Sequence, residues 1–273
     1  MIKPLLWGAA IVGGLILLKL FVLYLEPHVA FFPMRGEHQT PDDVGIPFEA
    51  VSLMTDDGET IHSWLLKHPR PQAEVLFFHG NGGNLSIYLG LLAEMYLRSL
   101  TVFIFDYRGY GRSSGSPSET GIYKDTRAAV GYFWDNCHTP GAPVIYWGRS
   151  LGGVTASYAS TLREPNGLIL ESTFPDKASL VKHYPLLGVL SLLSRYRFPT
   201  VEFLEDLSCP ALVIHGDKDE IVPFLMGEKV FQGLPGEKYF YRISGARHND
   251  THKFDPEPYW GRVADFIQGT NNG

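Results

Sequence analysis

The sequence predicts an α/β fold, with a mainly parallel sheet covered by helices on both faces. Three observations predict it. Short apolar runs alternate with amphipathic stretches of helical period from Val75 to near the carboxyl end. Each run ends in polar or glycine-rich residues, as expected where ligands bind at the carboxyl ends of parallel strands. One run, Val144-Ile145-Tyr146-Trp147, passes directly through Gly148-Arg149-Ser150-Leu151-Gly152 into a helix. That is the nucleophile elbow, in which glycines let a serine occupy a strained turn that lifts its hydroxyl clear of the sheet.

The bulk numbers set the frame. The 273 residues, 45% hydrophobic and 13% aromatic, make one large domain or two small ones with a sizeable core. A net charge of −6, without a run of like charge, gives nucleic acid nothing to bind. Cys137 and Cys209 make neither a disulfide framework nor a zinc site, and one disulfide between them stays open. No repeat or low-complexity segment occurs, and Gln268 to Gly273 reads as a frayed polar tail.

The amino-terminal element comes first. Leu5 to Leu25 is apolar apart from Lys19. Such a helix spans about 30 Å, the hydrocarbon thickness of a bilayer. A cleaved signal peptide fits less well, because the run is too long and no small-x-small site follows it. A buried globular helix rarely lacks a polar face for this length. Residues 1–26 are therefore expected to be a transmembrane anchor and 27–47 a connector. Lys3 and the terminal amine weigh slightly towards an inside amino terminus, with the globular part on the non-cytoplasmic side.

The body follows in order. Phe48–Met54 and Thr60–Leu66 flank Asp57-Gly58, a hairpin signal. Val75–Phe78 is a strand, and Leu85–Leu97 a helix entered after Asn84. Val102–Phe105 is a strand, and Ser118–Trp134 a helix with Pro117 at its mouth and Glu119 in its first turn. After the elbow comes the helix Leu151–Leu162, then strands at Leu168–Leu170, Ala211–His215 and Tyr239–Ile243, and a helix near Pro258–Ile267.

The residues beyond each strand carry the chemistry. A serine hydroxyl needs a base to take its proton, and a histidine needs a carboxylate to fix its tautomer. Ser150 is followed by two acids, Asp217 and Asp219, and then by His248 and His252. Nucleophile, acid, histidine is the chain order of a serine triad on such a sheet. A second G-x-S-x-G, Gly111 to Gly115, lies in a loop with no strand running into it and Pro117 after it.

From Phe48 to Ile267 the chain resembles the α/β-hydrolase family, and in particular its membrane-tethered serine hydrolases. The family pattern His-Gly-x-x-Asp-x-x-Val-Pro matches His215 to Pro223 and selects Asp219, leaving Asp217 as a solvated turn residue. Gly-x-x-His matches Gly245 to His248, leaving His252 as a surface histidine. The resemblance places the oxyanion hole at the backbone amides of Asn81 and Leu151. It makes His79 structural, and makes Asp106 and Arg108 braces for loops. Residues 48–273 become the hydrolase domain, with a cap at about 174–208. The cap's apolar run, Tyr184 to Leu193, reads equally as an acyl-binding cover or as an amphipathic helix on the sheet.

The expected function is a membrane-anchored serine hydrolase acting on carboxylic esters or thioesters, with lipid or acyl-protein among the substrates. No metal or organic cofactor is expected. A serine peptidase on the same triad and an inactive anchored binding module are the alternatives.

Overall fold

The computed structural model describes residues 2–183, 191 and 193–270. In chain order the strands are Phe32–Pro33 (β1), Glu49–Met54 (β2), Thr60–Leu66 (β3), Ala73–Phe78 (β4), Gly82–Gly83 (β5), Leu100–Phe105 (β6), Val144–Arg149 (β7), Gly167–Glu171 (β8), Ala211–Gly216 (β9) and Lys238–Ile243 (β10). Eight form one sheet in the order β10-β9-β8-β7-β4-β6-β3-β2. The pairs from β10 across to β6 are parallel, and the β2–β3 hairpin is antiparallel at one edge. The Asp57-Gly58 turn joins that hairpin, with Gly58 at φ 87° where a side chain would strain.

Side-chain alternation builds a core on each face of this sheet. In β4, Leu76 and Phe78 join one cluster while Val75 and Phe77 join the other, and all four are fully buried. Glu119–Tyr132 (α3) and Leu151–Leu162 (α4) cover the first face with Ile122, Val130, Val154 and Ala159. Leu89–Leu97 (α2) and Pro256–Thr270 cover the second with Leu92, Met95, Tyr259, Val263 and Phe266. Strand order reverses at β4, which lies between β6 and β7. The crevice beyond β4 and β7 is therefore where this topology places a ligand.

Local sequence explains most boundaries. Asn84 Oδ1 accepts from Ser86 N at 3.0 Å, so the chain enters through a 3₁₀ turn, Leu85–Tyr88, before the α-helix expected from Leu85 begins. Ser118 Oγ accepts from Gly121 N at 3.1 Å and starts α3, which ends at Tyr132 in a π turn, Phe133–Cys137. A helix at Phe224–Gly233 was not expected, because Val222-Pro223 read only as the end of a motif. Cys137 and Cys209 are both free thiols, so the disulfide left open by the sequence does not form.

The amino-terminal helix runs from Ile2 to Ala30 (α1), past the expected boundary at residue 26. Pro27 removes one N–H, but the last turn is recovered through packing on the body, where Phe31 is 2% exposed. Ile11–Ala30 is long and apolar enough to cross a membrane, and it stands almost wholly off the globular part. Most of the cap's apolar run, 184–190 and 192, lies outside the described residues.

Candidate active site

The elbow is forced by close packing. An added Cβ at Gly148 would lie 2.2 Å from Gly152 O, and one at Gly152 would lie 1.9 Å from Phe78 O. Only glycine lets β7 turn into α4 this tightly against β4. Ser150 between them has φ 55° and ψ −119°, a strained conformation for a residue with a side chain. The surroundings impose it: Ser150 N donates to Glu171 O at 2.8 Å, and Thr173 Oγ1 donates to Ser150 O at 2.8 Å. Ser150 Oγ has no hydrogen-bond partner among the described residues.

Asp219 and His248 meet directly, His248 Nδ1 lying 2.7 Å from Asp219 Oδ2. Burial alone would raise the Asp219 carboxyl. Hydrogen bonds from His215 and His248, the His248 charge and the Val222 amide outweigh it and hold the group well below the usual carboxylate range. An ionised Asp219 can only accept, so Nδ1 of His248 carries a proton towards it, and in the neutral ring that tautomer places the lone pair on Nε2. Asp219 Oδ1 is filled by the amides of Ile221 and Val222 at 2.9 and 2.7 Å, which fixes its orientation.

Arg149 joins these parts. Its Nη2 donates to His248 O at 2.7 Å, tying the residue before the elbow serine to the histidine loop. Its Nε lies 3.7 Å from Glu171 Oε1. Glu171 is fully buried and also accepts from Trp147 Nε1 at 3.1 Å, Tyr259 at 2.9 Å and Thr251 Oγ1. Burial would raise this carboxyl, but Arg149 and the hydrogen bonds lower it, so the pair is ionic. Neither Arg149 nor Glu171 was legible as a site residue. The one signal was a charged residue closing an apolar strand, which a buried position must compensate. His215 was also missed as a support: its Nε2 donates to Val222 O at 2.9 Å and lies 3.3 Å from Asp219.

The loop after β4 faces the elbow. Gly80 lies against Ser150, where an added Cβ would come within 3.4 Å of Ser150 Cβ. Its amide is already used by the Tyr88 hydroxyl at 2.8 Å. Among the described residues, the amides of Asn81 and Leu151 have no hydrogen-bond acceptor. Asn81 itself is held, with Nδ2 donating to Ala30 O at 2.7 Å and the Tyr110 hydroxyl 2.9 Å from both its carbonyl and side-chain oxygens.

The remaining candidates fall outside this cluster. Ser113 of the second G-x-S-x-G is spent structurally, donating to Asp106 O at 2.8 Å and accepting from His62 N at 2.9 Å. Asp217 does lie in a turn and is only half-buried, but it has structural partners: it accepts from Gly245 N at 2.7 Å and Arg242 Nη2 at 2.6 Å, bracing the start of the histidine loop. His252 is not on the surface either. It is 7% exposed, and burial lowers it to about 4, because the helix Thr251–Phe254 turns it towards Tyr259. His79 is fully buried beside Tyr107 and lowered to about 4 by burial, while its Nδ1 donates to Gly80 O at 2.7 Å. Arg108 ties the hairpin turn to α3, bonding Asp57 at 2.9 and 3.0 Å and Asp125 at 2.9 Å.

Known proteins resemble this chain in sequence and fold. Residues 69–203 match the family model described as serine aminopeptidase, S33. An uncharacterized membrane protein of Saccharomyces cerevisiae, YNL320W, is 34% identical over 242 residues, covering 85% of this chain and 84% of its own. Protein bem46 of Schizosaccharomyces pombe is 32% identical over 246 residues, covering 85% and 81%. The Pyrococcus furiosus esterase Pf2001 superposes with a TM-score of 0.72 at 20% identity, over 88% of this chain and 97% of its own, which speaks to the fold alone. With its sheet order, its strained elbow and relatives of this identity and coverage, the chain belongs to the α/β-hydrolase family.

Proposed function

We propose that this α/β hydrolase is a membrane-anchored serine hydrolase that cleaves carboxylic ester or thioester bonds through an acyl-enzyme on Ser150. One observation carries the reading: a His248–Asp219 pair tied through Arg149 to a strained serine turn. His248 Nε2 takes the Ser150 proton as Oγ attacks the acyl carbonyl. The carbonyl oxygen gains negative charge and is received by the amides of Asn81 and Leu151. Collapse expels the alcohol or thiol, which leaves with the proton from His248. Water then attacks the acyl-enzyme by the same proton path and releases the acid. Asp219 holds the imidazole tautomer throughout. The Ser150 hydroxyl, without a partner among the described residues, fits this scheme, since such hydrogen bonds tighten when substrate binds.

The test is a fluorophosphonate probe, which should label the wild-type protein and leave Ser150→Ala unlabelled. Equal labelling of both would overturn the assignment. The family model's own description supports a second reading, an aminopeptidase on the same residues. Rates on p-nitrophenyl esters, acyl thioesters and aminoacyl amides separate the two; turnover of the amides alone would favour the peptidase. Membrane anchoring rests on α1, and one relative described as a membrane protein, YNL320W, supports it.

A further inference from the structure

The end of α1 is built into the loop that faces Ser150. Ala30 O accepts from Asn81 Nδ2 at 2.7 Å. Two residues later, β1 pairs in parallel with β5, the two glycines that follow Asn81. Met34 N then donates to Gly83 O at 2.9 Å, and Asn84 Nδ2 donates to Met34 O and Gly36 O at 3.2 and 2.7 Å.

One turn earlier, Glu26 is 4% exposed and belongs to protein, not to lipid. Its Oε1 accepts from Tyr196 N at 3.1 Å and from Ser194 Oγ, and Arg195 Nε lies 3.3 Å from Oε2. Lys177 Nζ donates to the same Ser194 hydroxyl at 3.0 Å. Phe31 closes the joint, with ring centroids 5.7 Å from Tyr196 and 6.1 Å from Phe198.

These contacts leave little slack. The apolar run ends at Leu25, and helix rise puts Ala30 only about 7 Å further on. The hydrocarbon boundary therefore lies within a turn or two of the oxyanion loop. Apolar side chains stand exposed beside it. Phe32 is 60% exposed and pairs with Gly82; Ile87 is 56% exposed and lies over Gly83. Exposed apolar groups clustered at the foot of a membrane helix continue the lipid-facing surface of that helix.

We propose that the catalytic rim is docked on the lipid–water interface from which α1 emerges, and that it takes acyl esters whose chains reside in that leaflet. The substrate half of this inference rests on the hydrolase reading above; the docking half does not.

The full chain in phosphatidylcholine vesicles tests both halves. A nitroxide is attached to Ile87→Cys; burial has pushed both native thiols up to about 12, so they react slowly. Docking predicts that this label collides more often with oxygen than with a water-soluble nickel chelate. The reverse, as for a water-facing site or one covered by a soluble protein, overturns it. For the substrate, 4-methylumbelliferyl oleate in the vesicles is compared with the butyrate in water. Phe32→Ser with Ile87→Ser should lower oleate turnover about tenfold through lost apolar contact and leave butyrate turnover unchanged. No change in either, or an equal fall in both, overturns the leaflet route. A wild-type protein that turns over neither ester sinks the ester-hydrolase reading, while the label still decides the docking.

Discussion

Arg149 fills the variable position of the elbow, yet its guanidinium bridges the histidine loop and the buried Glu171. Removing one partner of a buried pair leaves a charge uncompensated, at a cost of about 3 kcal/mol. Arg149→Met should therefore unfold at lower urea and also lose kcat, because His248 is no longer held. Adding Glu171→Gln should restore much of the stability but not the rate. Recovery of both together would make Arg149 merely structural. His79 and His252 give the protein an acid limit. Burial lowers both to about 4, below the ordinary value of about 6.5 expected in the unfolded chain. The unfolded chain thus takes up protons first as pH falls. The stability from each neutral ring is complete above about pH 6.5 and is lost down to about pH 4, about 3 kcal/mol per ring. Melting temperature should drop across that window, and His252→Gln should drop less steeply; parallel curves would rule His252 out.

At the scale of elements, the β7–α4 turn exists because two backbones approach closer than any Cβ allows. Gly152→Ala should cost more than about 2 kcal/mol in urea unfolding and abolish probe labelling, since the clash is with the Phe78 carbonyl and not with a side chain that could move. Gly131 is the control: it lies in α3 with nothing within 4 Å of an added Cβ. Gly131→Ala should be neutral or stabilising by about 0.5–1 kcal/mol through helix propensity. Similar losses at both glycines would mean the elbow carries no special constraint.

Across the whole molecule, α1 and the hydrolase body interlock from Glu26 onwards. Removing residues 1–25 keeps Glu26, Ala30 and β1, and should give a soluble protein that still hydrolyses 4-methylumbelliferyl butyrate. Removing 1–36 takes away the acceptor for Asn81 Nδ2 and the partner strand of Gly82–Gly83. Turnover of the butyrate should then fall about tenfold or more, because an amide displaced from the proposed oxyanion position would lose most of its effect. Rates that match between the two truncations would show that the connector does not support the loop.

Short-range pattern determined much of this protein. Alternating apolar runs, the hairpin around Asp57-Gly58 and the G-x-S-x-G after Val144–Trp147 are each written in a few consecutive residues, because backbone geometry and close packing act locally there. Asp219 and His248 were singled out by motif, and the structure brings them within a hydrogen bond. Tertiary structure alone decided that Arg149 and Glu171 brace the elbow, that His252 is buried, and that Ala30 holds Asn81 across 51 positions of sequence. These are pairings between segments distant along the chain. Burial and long-range partners assign their roles, and no local spacing encodes which distant group will lie within hydrogen-bond reach.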